Sequence, residues 1–274
     1  MLSLTQKYRP VLSTPFGRAG YREIAPCNAL KPYIRCFWTE SQTAQNILVI
    51  PDTCMDIIFK IGENGEAEDF FCALDEHSFY SANSGLKLFG IRFYAWTAQL
   101  FSRRDFSGSG GRAFCTEEYF DGMPELRFSI TNAKTFEERA AAAENWLLAH
   151  LANIRMNNDF LNAIDFIVNT RGTLEISELC AYTAVSARQL ERLFARTMGA
   201  SPKAFSGLVR YQLLWREMLV CGDLNAPDAV EKYGYSDQSH LLNDFKKRHS
   251  MNPKQALDYA KNLRNVVFLQ DKTE

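Results

Sequence analysis

Apolar and polar positions along this chain follow two different periods. Up to about residue 125 the apolar residues come in short runs broken by turn formers: NILVIPD at 46–52, MDIIFKIGENG at 55–65 and GLKLFGIRF at 85–93. The alternation in LKLFGIRF and the Gly-Glu-Asn-Gly turn at 62–65 predict antiparallel strands, so this half is expected to be a mostly-β barrel or sandwich. From Thr135 the spacing becomes three and four. TFEERAAAAENWLLAHL carries its acids early and its apolar residues late, which predicts a helix over 135–151 with Thr135 as its cap. That helix could form a dimer seam or pack on its own barrel. After the polar stretch NIRMNND the chain is expected to be helical almost to its end, with 153–158 a hinge between residues 1–152 and 159–274.

The helical half contains an internal echo. Leu190, Phe194, Pro202 and Lys203 recur 51 residues later as Leu241, Phe245, Pro253 and Lys254, so LERLFARTMGASPK and LLNDFKKRHSMNPK read as two copies of one unit. Upstream the separation is 50, with Ala184 and Val185 facing Gly234 and Tyr235.

On a helical wheel, residues 187–196 bury Leu190, Leu193 and Phe194 and present Arg188, Glu191, Arg192 and Arg196. Residues 237–248 place Leu241, Leu242 and Phe245 on one face, and Ser239, His240, Asn243, Lys246 and Lys247 on the other. Each such helix follows a shorter one and a tight turn, with Ser186 and Asp237 as caps. A short helix, a tight turn and a polar-faced helix make a helix-turn-helix unit, whose second helix fits a major groove about 12 Å wide. The units span about 175–197 and 227–249. Between them Ser201 is a cap, Pro202 suits the first helical position and Gly222 is a natural stop. About 19 helical residues cover roughly 28 Å, close to the roughly 34 Å between successive major-groove faces. A polar face on an amphipathic helix is ordinarily just solvated surface; two copies sharing cap, core and exit argue for a common task.

Residues 174–260 resemble the paired helix-turn-helix domain of AraC/XylS-type bacterial transcription regulators. The resemblance rests on SARQLERLFARTMGASPKAF, on Arg210 in the connecting helix, and on YGYSDQSHLLNDFKKRHSMNPKQA. It implies a DNA-binding regulator in the cytoplasm whose base-reading positions are Arg188, Glu191 and Arg192 in the first unit and Gln238, Ser239, His240 and Asn243 in the second. Arginine suits the guanine edge, and Asn or Gln the adenine edge. Lys246 and Lys247 are read as phosphate contacts, Arg196 as a further DNA contact, and His240 also as a packing residue. The family's glycine after the second reading helix is Ser250 here, and its small alanine in the second supporting helix is Val230, preceded by Ala229.

The resemblance also implies an α+β protein, with a barrel-like (cupin-like) N-terminal domain that senses or dimerises and an all-α domain of two units joined by a long helix. Residues 21 to about 112 resemble a small-barrel domain of some members through CFW at 36–38, PDTCMDIIF at 51–59 and GIRFYAW at 90–96. Those members usually have glycine at the position of Thr53 and Pro-Gly at Ala95-Trp96. Here Asp52, Asp56 and Arg92 are charged residues in apolar surroundings, with Trp38 and Trp96 nearby in the motifs. They form either a structural ion pair or an aromatic-walled effector pocket.

Composition alters this picture little. The 274 residues carry 31 Lys and Arg against 32 Asp and Glu, a net charge of −1, so a nucleic-acid function depends on local patches and nonspecific affinity is expected to be modest. Dimerisation and RNA polymerase are therefore expected partners beside duplex promoter DNA. No apolar run is long enough to span a membrane and the N-terminus lacks the order of a secretory signal. The 7 cysteines, at 27, 36, 54, 72, 115, 180 and 221, contain no CxxC pair and are read as reduced, mostly buried thiols. With only His77 and His150 in the first half and no zinc spacing, neither metal nor cofactor is expected. The glycine-rich SGSGG at 107–111 lacks a P-loop lysine and reads as a flexible loop. The competing readings are an enzyme, for which no nucleophile elbow or acid pair appears, and a thiol redox sensor fused to the DNA-binding half.

Overall fold

The computed structural model describes residues 2–11, 21–41, 47–62, 64–81, 86–151 and 155–262. After a short helix α1 (Leu2–Lys7), strands β1 (Tyr21–Ile24), β2 (Ile34–Ser41), β4 (Cys54–Ile61), β5 (Ala67–Cys72), β7 (Lys87–Tyr94) and β8 (Ala113–Cys115) form a six-stranded antiparallel sheet in the order β1-β2-β7-β4-β5-β8. Strands β3 (Ile47–Val49) and β6 (Phe79–Ser81) make a separate two-stranded ribbon. The three apolar runs of the sequence become β3, β4 and β7. Among the described residues the edges β1 and β8 pair with no further strand, so hydrogen bonding leaves the sheet open.

Strand alternation divides the sheet into two chemically different faces. Phe37, Ile57, Phe59, Phe71, Phe89 and Ile91 point into the main core. One residue along, Cys36 faces Arg92, Arg92 faces Asp56 and Asp56 faces Cys72, making a polar row across β2, β7, β4 and β5. Helices α2 (Met123–Asn132) and α3 (Phe136–Leu151) close the apolar face, with Phe136, Ala140, Ala143 and Leu147 of α3 buried there. Thr135 caps α3 as expected, its hydroxyl accepting from Glu138 N–H at 3.1 Å.

The remaining elements are helical: α4 (Asn158–Asn169), α5 (Ile176–Thr183), α6 (Ala187–Met198), α7 (Pro202–Cys221), α8 (Ala226–Lys232), α9 (Gln238–His249) and α10 (Pro253–Asn262). Of the expected hinge at 153–158, residues 153 and 154 lie outside the described residues. Its end needs correction: Asn157 caps α4 by accepting from Phe160 N–H at 3.0 Å, so Asn158 is already helical.

Two cores meet along α7. Phe205 and Leu208 belong to the main core, which runs without a break from the sheet to Phe194 of α6. Tyr211, Leu214 and Trp215 belong to a second core with Leu241, Phe245 and Ala256, to which the sheet half contributes Leu48 and Ile50. The α5–α6 pair is thus joined to the sheet by continuous apolar packing. The α8–α9 pair has a smaller apolar connection. Phe194 and Phe245 are both fully buried, and truncating either to alanine removes about 3–5 kcal/mol.

Candidate nucleic-acid interface

The two helix pairs have the same local construction. Ser186 caps α6, its hydroxyl accepting from Gln189 N–H at 3.3 Å, and Asp237 caps α9 by accepting from His240 N–H at 2.8 Å. The turns before them place Ala184 (φ 53°) and Gly234 (φ 62°) in the same left-handed conformation, matching the 50-residue echo. The corners after them repeat at 51, with Gly199 at φ 70° and Ser250 at φ 60°. Ser250 therefore occupies a left-handed position that favours glycine. Between the pairs, Ser201 caps the 20-residue α7 through Ala204 N–H at 3.0 Å, and Gly222 (φ 74°) ends it.

Helix α6 buries Leu190, Phe194 and Met198 and exposes Arg188, Glu191, Arg192 and Arg196. Helix α9 buries Leu241, Phe245, Arg248 and His249 and exposes Gln238, Ser239, His240, Asn243, Lys246 and Lys247. One expectation is overturned: Leu242 is not on the buried face but 40% exposed. On the wheel Leu242 lies about 80° from the midpoint of Leu241 and Phe245, at the rim of that face rather than within it. At the 51-residue separation Leu242 corresponds to Glu191.

Arg196 has a partner that its sequence neighbours do not predict. Its Nε lies 3.5 Å from Asp105, and Phe106 N–H donates to its carbonyl at 2.8 Å. Arg103, Arg104, Asp105 and Arg196 border an open polar cleft of about 500 Å³ between the sheet half and α6. The arginines there are already matched by acids, Arg103 by Asp121 at 2.9 Å and Arg104 by Glu118 at 3.1 Å.

Behind α9, aromatic packing sets its orientation. His249 stacks on Phe245 and lies edge-on to Trp215, sharing a 2.8 Å hydrogen bond with Tyr211. Burial pushes the His249 ring down to about 4, so it is neutral at physiological pH. The Arg210 guanidinium lies 4.6 Å from the centre of the Tyr235 ring, and Tyr235 donates to Asp244 at 3.0 Å. His240 is exposed, with Nδ1 3.2 Å from Ser236 Oγ and its ring edge-on to Tyr235.

Of the five pocket candidates in the sheet half, three form a closed knot. Arg92 donates to both oxygens of Asp56, at 2.9 and 3.1 Å, and Trp38 Nε1 donates to the same carboxylate at 3.0 Å. The Trp38 indole lies over Gly90, where any side chain would collide with it. Arg92 Nη1 is buried without a hydrogen-bond partner. Asp52 accepts from Cys54 N–H at 2.8 Å, and burial raises its carboxyl to about 6 against the pull of Arg92. Asp75 is raised to about 6 by burial and by Asp52 and Asp56. Trp96 stands apart from this knot. It follows β7 in a turn and packs on Tyr8, Tyr94 and Phe205, in the seam between the two halves.

The cysteines are free, yet not mostly buried: Cys36 and Cys54 are buried, Cys27, Cys72 and Cys180 partly so, and Cys115 and Cys221 exposed. Among the described residues no three His, Cys, Asp or Glu side chains are grouped to hold a metal, and no helix is long and apolar enough to cross a membrane.

Residues 179–258, which include both polar-faced helices, match the family model described as "Helix-turn-helix domain". Residues 179–258 are thus a helix-turn-helix domain of the AraC type. Residues 22–110 match a second model, described as "Domain of unknown function (DUF6597)", a range that contains β2 to β7. No curated protein sequence matches the chain. Solved structures with similarity to it include ToxT from Vibrio cholerae O395, at 11% identity and TM-score 0.40 over 81% of this chain and 97% of that one. ToxT bound to (E)-4-(8-methylnaphthalen-1-yl)but-3-enoic acid is similar at 9% identity and TM-score 0.42, over 88% of this chain and 99% of the other. The helix-turn-helix domain makes this protein a DNA-binding transcription regulator.

Proposed function

We propose that one chain reads two successive major-groove segments of promoter DNA, α6 entering one and α9 the next. The observation that carries this reading is the repeated construction of the two helices, from N-cap to left-handed corner, on either side of a 20-residue helix. At about 1.5 Å per residue that helix is roughly 30 Å long, close to the roughly 34 Å repeat of the groove. In this reading Arg188, Glu191 and Arg192 meet bases of the first segment, and Gln238, Ser239, His240 and Asn243 those of the second. Lys246 and Lys247 hold phosphate. Arg196 reaches phosphate only by exchanging its Asp105 contact.

Residues 1–152 are proposed as the sensing and dimerising domain and 159–274 as the DNA-binding domain. The buried, unpartnered Arg92 Nη1 and the raised Asp52 carboxyl support small-molecule control at the polar face of the sheet, because both would gain from an added hydrogen-bond partner. The balanced charge supports reliance on a second copy and on RNA polymerase.

Selection of random duplexes by the full-length protein at physiological salt tests the reading. Two enriched blocks about one helical turn apart support it. Enrichment of one block alone would remove one of the two helices from the reading.

A further inference from the structure

The sheet half touches the two reading helices at the same repeat-equivalent place. At the end of α6, Phe106 N–H donates to Arg196 O at 2.8 Å, and Ser109, only 1% exposed, packs against Gly199. A Cβ at Gly199 would collide with Ser109 Oγ and lie 2.8 Å from Phe106 O, so the glycine there serves close backbone approach as well as its φ of 70°. At the end of α9, Ser78 N–H donates to Arg248 O at 2.8 Å and Ser78 Oγ lies 2.7 Å from Ser250 Oγ. Gly199 and Ser250 are the corners 51 residues apart. The SGSGG segment, expected to be a flexible loop, is thus one of two contacts that hold matching ends of matching helices.

We propose that the sheet half is a brace that fixes the separation and tilt of the two reading helices, with the braced form the one that binds DNA. A reading helix enters the groove by its N-terminal part, whereas both contacts lie at C-terminal ends and leave Arg188, Arg192, Ser239 and Asn243 exposed. The brace is uneven. At α6 it is backed by the continuous main core, and at α9 by Leu48, Ile50 and the Ser78 hydrogen bonds. Helix α9 is therefore the one released when the brace opens. Serine at position 250 is also accounted for: its left-handed backbone is strained, and its hydroxyl gives the contact with Ser78 that glycine would lack.

The proposal rests on the reading of both helices as DNA-binding elements, and two full-length variants test it. Ser78→Ala and Ser250→Gly remove the same side-chain hydrogen bond, but Ser250→Gly also relieves the corner. An effect working only through local helix stability would move the two in opposite directions. The brace predicts that both bind a two-block duplex roughly twofold to tenfold more weakly than wild type, while binding a duplex with the α6 block alone unchanged. Equal or tighter binding of the two-block duplex by either variant overturns it. Wild type showing no preference for two blocks over one would fail the two-helix reading instead. In that event amide exchange still decides the brace: both variants are expected to raise exchange across α9 and leave α6 unchanged, and unaltered exchange in α9 overturns it without any DNA.

Discussion

Gln212, midway along the helix that joins the two units, donates its side-chain amide to Pro51 O at 2.7 Å. Its Oε1 accepts from Val11 N–H at 2.6 Å, and the residue is 1% exposed. Gln212→Leu would leave two backbone groups of the sheet half unpaired, at a cost of about 1–3 kcal/mol. Denaturant midpoints measure this, and an unchanged midpoint would mean that water reaches both groups.

In the proposed reading Arg192 is a base contact and Lys247 a phosphate contact, and their variants separate the two. Arg192→Ala is expected to lose about 1–3 kcal/mol at one base pair only. Lys247→Ala weakens all sequences alike and lowers the salt slope by about one. Binding to a panel of single-base variants at several salt concentrations distinguishes them, and a sequence-independent loss for Arg192→Ala would remove it from the readers.

Leu242, exposed at the position equivalent to Glu191, has no donor or acceptor to offer a base edge. The major-groove feature it matches is the thymine 5-methyl group. Replacing thymine by uracil at one position of the α9 block should weaken wild type by about 0.8 kcal/mol, roughly fourfold, and Leu242→Ala should not respond. Indifference of wild type to every such replacement would leave Leu242 without a role in reading.

These residues also show what was legible in the sequence. Ser186, Ser201, Asp237 and Gly222 act through bonds to residues three or four positions away, so residue type and spacing sufficed to locate the helices. The strands were legible for the same reason, their alternation being local. Leu242 sits at the rim of its face, about 80° from the Leu241–Phe245 midpoint, where the wheel alone does not separate buried from exposed. The motifs of Trp38 and Trp96 are alike in being aromatic, and only tertiary packing sends Trp96 toward Phe205. The contacts of Asp105 with Arg196, Ser109 with Gly199 and Ser78 with Ser250 join positions about 90 to 170 residues apart. No periodicity encodes them.

Asp52 supplies a pH test. Its folded carboxyl, near 6, lies above the unfolded value of about 3.9. The folded chain therefore holds more protons between about pH 4 and 6, and this group's contribution to stability falls as pH rises through that window. Asn at 52 keeps an acceptor for Cys54 N–H and carries no charge. Asp52→Asn is expected to be more stable than wild type at pH 7–8, the difference vanishing near pH 4. Denaturant titrations across that range check it, and an Asn variant no more stable at pH 8 would contradict the assignment.

Phasing tests whether α6 and α9 of one chain read successive faces of a duplex. In a duplex carrying both selected blocks, inserting about 5 base pairs, half a helical turn, turns the second block to the far side. Affinity is then expected to equal that of a single-block duplex, because the 20-residue α7 is a fixed spacer. Undiminished affinity after the insertion would contradict it.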